Sequence, residues 1–257
     1  MTKKVDTVQA VERAVDLLYC FSLNKPELSI NEFVEQTGLK RPTVFRLLTS
    51  LKEKGLIIRN ETDGLYRLGL PFVGFGQIVS ETLDVRKEAL PILKELSNQT
   101  NETTSLNILQ STHRVCVEKV DGSEDIRQFV RLGYPYPLVR GASGRIFLAF
   151  ADRTFTENIL QEWERENEEE IERGSYYKDL TSFKENGCAV SLGDRVFGAY
   201  SISAPIFNAS GQMIAGLSIS GLGARMNEEL EKKLTQQVKD GANKISSKLG
   251  FQQISNF

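Results

Sequence analysis

Histidine is nearly missing from this 257-residue chain, which holds one, His113, and only three cysteines, Cys20, Cys116 and Cys188. A structural zinc site draws on sets of Cys and His ligands, and no Cys-x-x-Cys pair is present, so no metal is expected. Any Ser-His-Asp triad would depend on His113 alone. The cysteines are odd in number and far apart, which argues against a disulfide framework and for reduced thiols packed as small hydrophobes. Also missing is any run near the ~20 apolar residues that a membrane-spanning helix needs. The start, Met1-Thr2-Lys3-Lys4, turns amphipathic at once, with Asp6, Glu12 and Asp16 among the apolar residues, and has no signal-peptide core. A cytoplasmic location with no membrane partner is expected.

Catalytic signatures are incomplete. Gly141-Ala142-Ser143-Gly144-Arg145 resembles a nucleophile elbow but lacks the last glycine of G-x-S-x-G. Gly221-Leu222-Gly223 follows a strand-like run, yet G-x-G-x-x-G fails because position 226 is Met. There is no P-loop. No catalytic residue and no cofactor are expected. A hydrolase is the weaker alternative, and a hydrolase assay would detect it.

What is present is an ordinary globular composition, 40% hydrophobic and 26% charged, at a length that suits two domains. The net charge is −2, but it is unevenly spread. Between Gly38 and Arg59 lie Lys40, Arg41, Arg46, Lys52, Lys54 and Arg59 against Glu53 alone, a local +5. Such a patch on a near-neutral chain suits an anionic partner at one place, although most charge clusters are simply solvated helix faces. Residues 157–172 run the other way, with eight glutamates against Arg165, and read as an exposed acidic helix and loop.

The first seventy residues carry a recognisable pattern. Val8, Val11, Val15, Leu18 and Tyr19 recur at helical spacing, so residues 8–21 read as an amphipathic helix, broken at Asn24-Lys25-Pro26. Ser29-Ile30-Asn31-Glu32 is a capping box that opens a short helix ending at Gly38. Pro42 suits the first turn of the next helix, whose apolar stripe is Val44, Leu47, Leu48 and Leu51, with Gly55 as its stop. Two short helices across a glycine turn make a helix-turn-helix. Residues 56–59 and 65–68, joined by Glu61-Thr62-Asp63-Gly64, then read as the hairpin wing of a winged helix.

The second helix leaves Lys40, Arg41, Thr43, Phe45, Arg46, Thr49 and Ser50 at outward and N-terminal positions, residue types that touch phosphates and base edges. Thr43, Phe45 and Arg46 are the expected base readers. Lys40, Arg41, Thr49 and Lys54 are the expected phosphate contacts, with Arg59 and Arg67 reaching backbone or minor groove from the wing. The competing reading is an interaction module with a degenerate winged helix, against which Lys40, Arg41 and Arg46 argue.

The run Val8-Gln9-Ala10-Val11-Glu12-Arg13-Ala14-Val15-Asp16-Leu17-Leu18 resembles the opening helix of IclR-type (isocitrate-lyase-regulator-like) bacterial transcription factors. So do Thr37-Gly38-Leu39-Lys40-Arg41-Pro42-Thr43-Val44-Phe45-Arg46-Leu47-Leu48, Tyr66-Arg67-Leu68-Gly69, Ala204-Pro205-Ile206-Phe207 and Leu217-Ser218-Ile219-Ser220-Gly221. The set spans nearly the whole chain in the family's order. The resemblance implies an α+β chain: a winged helix-turn-helix over residues 1–69, a linker helix over 70–84 and a GAF-like effector domain with a mixed sheet over 85–257. It also implies a homodimer, often paired into a tetramer, on palindromic double-stranded operator DNA. Members repress or activate nearby metabolic genes, and repression is the favoured sign here.

In the linker, Phe72, Val73, Phe75 and Ile78 lack a core of their own and are expected either on a partner subunit or on their own winged helix. Beyond it, a helix over 85–99 is followed by strand-like runs at 103–109, 115–120 and 126–132, with His113 in the turn between the first two. A helix over 143–151 comes next, then strand-like runs at 188–192, 199–207 and 213–220, and a last helix from about Asn227 to Leu249.

A small molecule has one natural place. Backbone N–H groups at a helix start bind anions, and Gly141-Ala142-Ser143-Gly144 leads into a helix. Ser201 and Ser203 share one face of a strand, as do Ser218 and Ser220 of another, and four hydroxyls facing one cavity would make a polar site. Small serines merely permitting close packing is the bland alternative. The resemblance supports Ala142, Ser143, Ser191, Ser201, Ser218 and Ser220 as effector contacts. Ser203 joins them by strand period, and Arg145 as a possible anion holder or a solvent-facing side chain. The chain departs from the family at Val139, Arg145 and Ser191-Leu192, where histidine, lysine and an acidic pair are common. The expected ligand is a small carboxylate, without assuming a glyoxylate- or pyruvate-like one.

Overall fold

The computed structural model describes residues 7–22, 24–82, 84–125 and 127–251. The start at residues 1–6, Leu83 of the expected linker and Ile126 at the head of an expected strand lie outside them. The chain divides into two compact units, Met1–Thr82 and Leu83–Phe257. No helix among the described residues is long and apolar enough to cross a membrane.

The first unit runs α1 (Gln9–Tyr19), β1 (Glu27–Leu28), α2 (Ile30–Thr37), α3 (Arg41–Glu53), β2 (Ile57–Arg59), β3 (Tyr66–Leu68) and α4 (Pro71–Thr82). Its core gathers Leu17, Leu28, Phe33, Val44, Leu48, Leu51, Ile57 and Tyr66. Burying a Leu or Phe side chain contributes about 1.5–3 kcal/mol, so this short list carries the small domain. At the start of α2, Glu32 N donates to Ser29 Oγ at 3.4 Å and Ser29 N donates to Glu32 Oε2 at 2.9 Å. Ser29→Ala should therefore cost about 1 kcal/mol in urea unfolding of this unit, and Ser29→Asp should restore most of it. Gly38 ends α2 at φ 65°, a left-handed conformation that glycine adopts freely.

Two features go beyond the sequence reading. The apolar stripe along α1 is divided: Val8, Val11, Val15 and Tyr19 are exposed, while Leu18 meets the core beside Ala14 and Leu17. Periodicity identifies an apolar face without saying what covers it. The hairpin also gains a third strand, since β1 pairs with β3 to give the order β1-β3-β2. Two residues carry no periodic signal. The wing closes where a Cβ on Gly69 would lie 1.9 Å from the Gly55 carbonyl oxygen, which explains glycine after Tyr66-Arg67-Leu68.

The second unit opens with α5 (Asp84–Thr100), β4 (Thr103–Gln110), β5 (His113–Val120) and β6 (Pro135–Pro137). Three helices follow, α6 (Ala142–Phe150), α7 (Arg153–Asn167) and α8 (Arg173–Asn186). It closes with β7 (Ala189–Leu192), β8 (Ala199–Phe207), β9 (Met213–Leu222) and α9 (Glu228–Lys248). The strands form one sheet in the order β6-β5-β4-β9-β8-β7, and every ladder is antiparallel. The parallel part of the expected mixed sheet reduces to one isolated bridge, Cys116 to Leu132.

Period two sorts β8. Ile202, Ala204 and Ile206 join α5 and α9 in one core, with Leu93, Leu96, Val238 and Ile245. Ser201 and Ser203 face the other way, towards α6. On that side Leu138, Ile146, Phe147 and Leu160 make a second core with α7 and α8. Residues 127–132 form no strand. The edge is β6 instead, whose two prolines are tolerated because an edge strand needs fewer N–H donors. His113 is the exposed first residue of β5, so the turn ends one residue before it.

Candidate nucleic-acid interface and ligand cavity

In the first unit, burial of Val44, Leu48 and Leu51 fixes which way α3 turns its remaining side chains. Arg41, Phe45, Arg46 and Thr49 are exposed, Thr43 is half-buried, and Phe45 keeps 55% of its surface. Lys40 caps the helix start and Lys54 its end, both exposed. Among the described residues no carboxylate lies within 4.0 Å of the nitrogens of Lys40, Arg41, Arg46, Lys54, Arg59 or Arg67, so none must break an ion pair before meeting a phosphate. Arg41 donates to Asn31 Oδ1, and Thr49 Oγ1 is turned back onto Phe45 O at 2.9 Å.

The wing divides its two arginines. Arg59 lies over the Tyr66 ring at 5.8 Å and lines one groove with Arg41, Phe45 and Arg46. Arg67 pairs with Ile58 and points from the opposite face of the hairpin, so the structure does not bring it to that groove. A second groove joins Arg13 and Gln9 of α1 to Thr43, Arg46 and Thr49. Arg13 lies outside the basic run of residues 38–59, on a helix whose spacing signals only its apolar face.

In the second unit a narrow cavity of about 30 Å³ opens beside the start of α6. Serines dominate its wall: Ser105, Ser143, Ser191, Ser201, Ser218 and Ser220. Register explains their convergence. Ser191, Ser201 and Ser220 stand opposite one another across β7, β8 and β9, and Ser203, Ser218 and Ser105 across β8, β9 and β4.

The expected effector residues fare differently. Ser143, Ser191, Ser201, Ser218 and Ser220 are on the wall. Ala142 acts through its backbone, donating to Ser201 Oγ at 3.1 Å. Ser203 is fully buried behind the wall, donating to Leu217 O at 3.1 Å and accepting from Ser218 Oγ at 2.9 Å. Arg145 is neither at the cavity nor turned to solvent. It lies over Tyr176 and Phe183, at 4.7 and 5.1 Å, and pairs with Asp179 at 2.8 Å.

The start of α6 is partly occupied. Asp194 accepts from Gly141 N at 2.7 Å and from Arg140 Nη1 at 3.0 Å, with Arg145 Nη1 3.9 Å away. Together with Ser201 it satisfies the first two amides.

Sequence reasoning missed the wall's buried cation. Arg114 of β5 is 3% exposed and donates to Asn107 Oδ1 at 2.8 Å. Asn107 in turn donates to Ser105 Oγ at 3.2 Å and Ser218 Oγ at 3.3 Å. Burial, with Arg195 nearby, pushes the Arg114 guanidinium down to about 10, which leaves it charged at neutral pH. Among the described residues no three His, Cys, Asp or Glu side chains gather into a metal-sized cluster.

Comparison with known proteins matches both units. The model of the IclR helix-turn-helix domain fits residues 10–61, and that of the bacterial transcriptional regulator IclR C-terminal domain fits residues 77–247. The chain is 35% identical over 251 residues to the HTH-type transcriptional regulator KipR of Bacillus subtilis, covering 95% of this chain and 98% of that one. The Thermotoga maritima IclR crystal structure superposes with a TM-score of 0.75 at 26% identity, over 94% of this chain and 98% of that one. An IclR homologue from Microbacterium hydrocarbonoxydans, solved with 4-hydroxybenzoate, shares the fold at a TM-score of 0.81 and 20% identity, over 94% and 99%. The chain belongs to the IclR family of transcriptional regulators, which join a helix-turn-helix DNA-binding domain to an effector-binding domain.

Proposed function

We propose that this chain is a cytoplasmic, ligand-controlled repressor that binds palindromic operator DNA as a homodimer, able to pair into a tetramer. Residues 1–69 bind DNA, 70–84 link, and 85–257 sense a small carboxylate. The observation that carries the reading is the outward face of α3, where exposed Arg41, Phe45 and Arg46 meet Arg59 of the wing with no acidic partner. Lys40 and Lys54 flank that face as phosphate contacts, Thr43 and Thr49 lie along it, and Arg67 serves only DNA that wraps past the wing.

Dimerisation is supported by apolar surface left open within one chain: Val8, Val11, Val15 and Tyr19 on α1, and Val73, Phe75 and Ile78 on α4. Those linker residues are exposed, which favours a partner subunit over their own winged helix. The effector acts by differential affinity for two subunit arrangements, since nothing else shifts such an equilibrium.

Hydroxyl-radical footprinting on DNA from upstream of the chain's own gene tests the dimeric arrangement. Two protected tracts about 34 Å apart, one turn of B-DNA, are expected. A single protected half-site would contradict it. In sedimentation, Val73→Glu with Ile78→Glu should shift the protein towards monomer.

A further inference from the structure

Resting on the ligand-sensing reading and narrowing it, we infer that Arg114 recognises the effector's acidic group, so that a compact carboxylate sits against β5 and not on the start of α6. Arg114 is buried with its Nε lacking any hydrogen-bond partner, and among the described residues no carboxylate lies within 4.0 Å of its nitrogens. A buried cation without a counter-ion is costly, and proteins keep such groups where a ligand completes them. Its orientation is already set. Asn107 holds Nη1, the serine pair behind Asn107 holds the amide, and the Tyr136 ring lies 4.5 Å from the guanidinium carbon. A planar guanidinium held in place offers the fork that a carboxylate accepts.

The balance of charge around the cavity agrees. Arg195 lies 5.1 Å from the centre of the same Tyr136 ring, which brings a second cation to the wall. Asp194 is the acid on that wall, and Gly141 N and Arg140 already hold it. At the start of α6 two amides are already taken, Gly141 N by Asp194 and Ala142 N by Ser201. Ser220 Oγ, buried and unpartnered on the same wall, supplies a second hydrogen bond for the ligand.

The test uses the full-length protein with acetate, propionate, succinate and benzoate, each against its amide, and with inorganic phosphate. Nitrogen-15 NMR follows the Arg114 Nε–H signal, assigned by its loss in Arg114→Gln, and calorimetry gives affinities. At least one acid, and not its amide, should move that signal and raise the melting temperature. Arg114→Gln should weaken that acid about tenfold or more, and Arg114→Lys, which keeps the charge without the fork, should recover part of it. Melting of both variants without ligand shows that they fold.

Three results overturn the inference: no acid moves the signal, phosphate outbinds every carboxylate, or Arg114→Gln binds acids like the wild type. In the last case Ser218→Ala with Ser220→Ala separates the two readings. Binding lost there keeps the cavity as sensor without Arg114, and binding kept there removes the cavity as well.

Discussion

Arg46→Ala is expected to weaken binding to the specific operator by about 5- to 150-fold while lowering binding to scrambled DNA far less. The asymmetry follows from position. Arg46 lies mid-helix on the face opposite buried Val44 and Leu48, so packing aims it outward, and it has no internal ion pair to hold it back. A guanidinium there can take O6 and N7 of a guanine together, worth about 1–3 kcal/mol against the wrong base. Lys54 ends the same helix and should behave as a phosphate contact. Lys54→Ala would weaken all sequences alike and reduce the slope of log affinity against log salt by about one. Anisotropy titrations of both variants on both duplexes decide the matter. Equal losses on specific and scrambled DNA for Arg46→Ala would remove it from base reading.

Arg225→Ala should destabilise the effector unit by about 2–4 kcal/mol, below the full cost of breaking a buried pair because Arg225 is partly solvated. Its partner Glu102 keeps 5% of its side-chain surface and accepts from Arg225 Nε at 3.0 Å and from Nη2 at 2.7 Å on each oxygen. The carboxylate has no retreat, since a Cβ on Gly221 would lie 2.3 Å from Glu102 Oε2 and β9 therefore presses against it. Removing the arginine leaves a buried charge. Glu102→Gln in the same chain should recover part of the loss, because a neutral amide costs less to bury. Urea unfolding followed on the effector unit measures both. A loss under about 0.5 kcal/mol would show that the pair is dispensable.

Much of the architecture follows from local patterns, and the exceptions share a cause. The capping box at Ser29 and the stripe of Val44, Leu48 and Leu51 are set by neighbours along the chain, so spacing alone reveals them. The serines of β8 and β9 could be paired from period two, and the ladder register supplies what the sequence lacks, their alignment with Ser191 and Ser105.

Arg114 was invisible for a specific reason. Next to His113 it reads as part of a polar turn, and its burial comes from Tyr136 of an edge strand built of prolines that no strand pattern announces. The capping of α6 by Asp194 joins residues 53 apart in sequence, so the Gly141 amide reads as free when it is occupied. On α1 the spacing marks an apolar stripe without saying what covers it, and Leu18 of that stripe meets the core. Val8, Val11 and Val15 form an apolar stripe that only a structure shows to be turned away from the domain's own core.

The central claim is sequence-specific DNA binding by the winged helix. Fluorescence anisotropy on DNA from upstream of the chain's own gene, against a scrambled duplex and across a salt series, tests it most directly. Saturable binding that prefers the native fragment and weakens linearly in log salt is the expected result. Equal binding to both duplexes, or none at low salt, would contradict it.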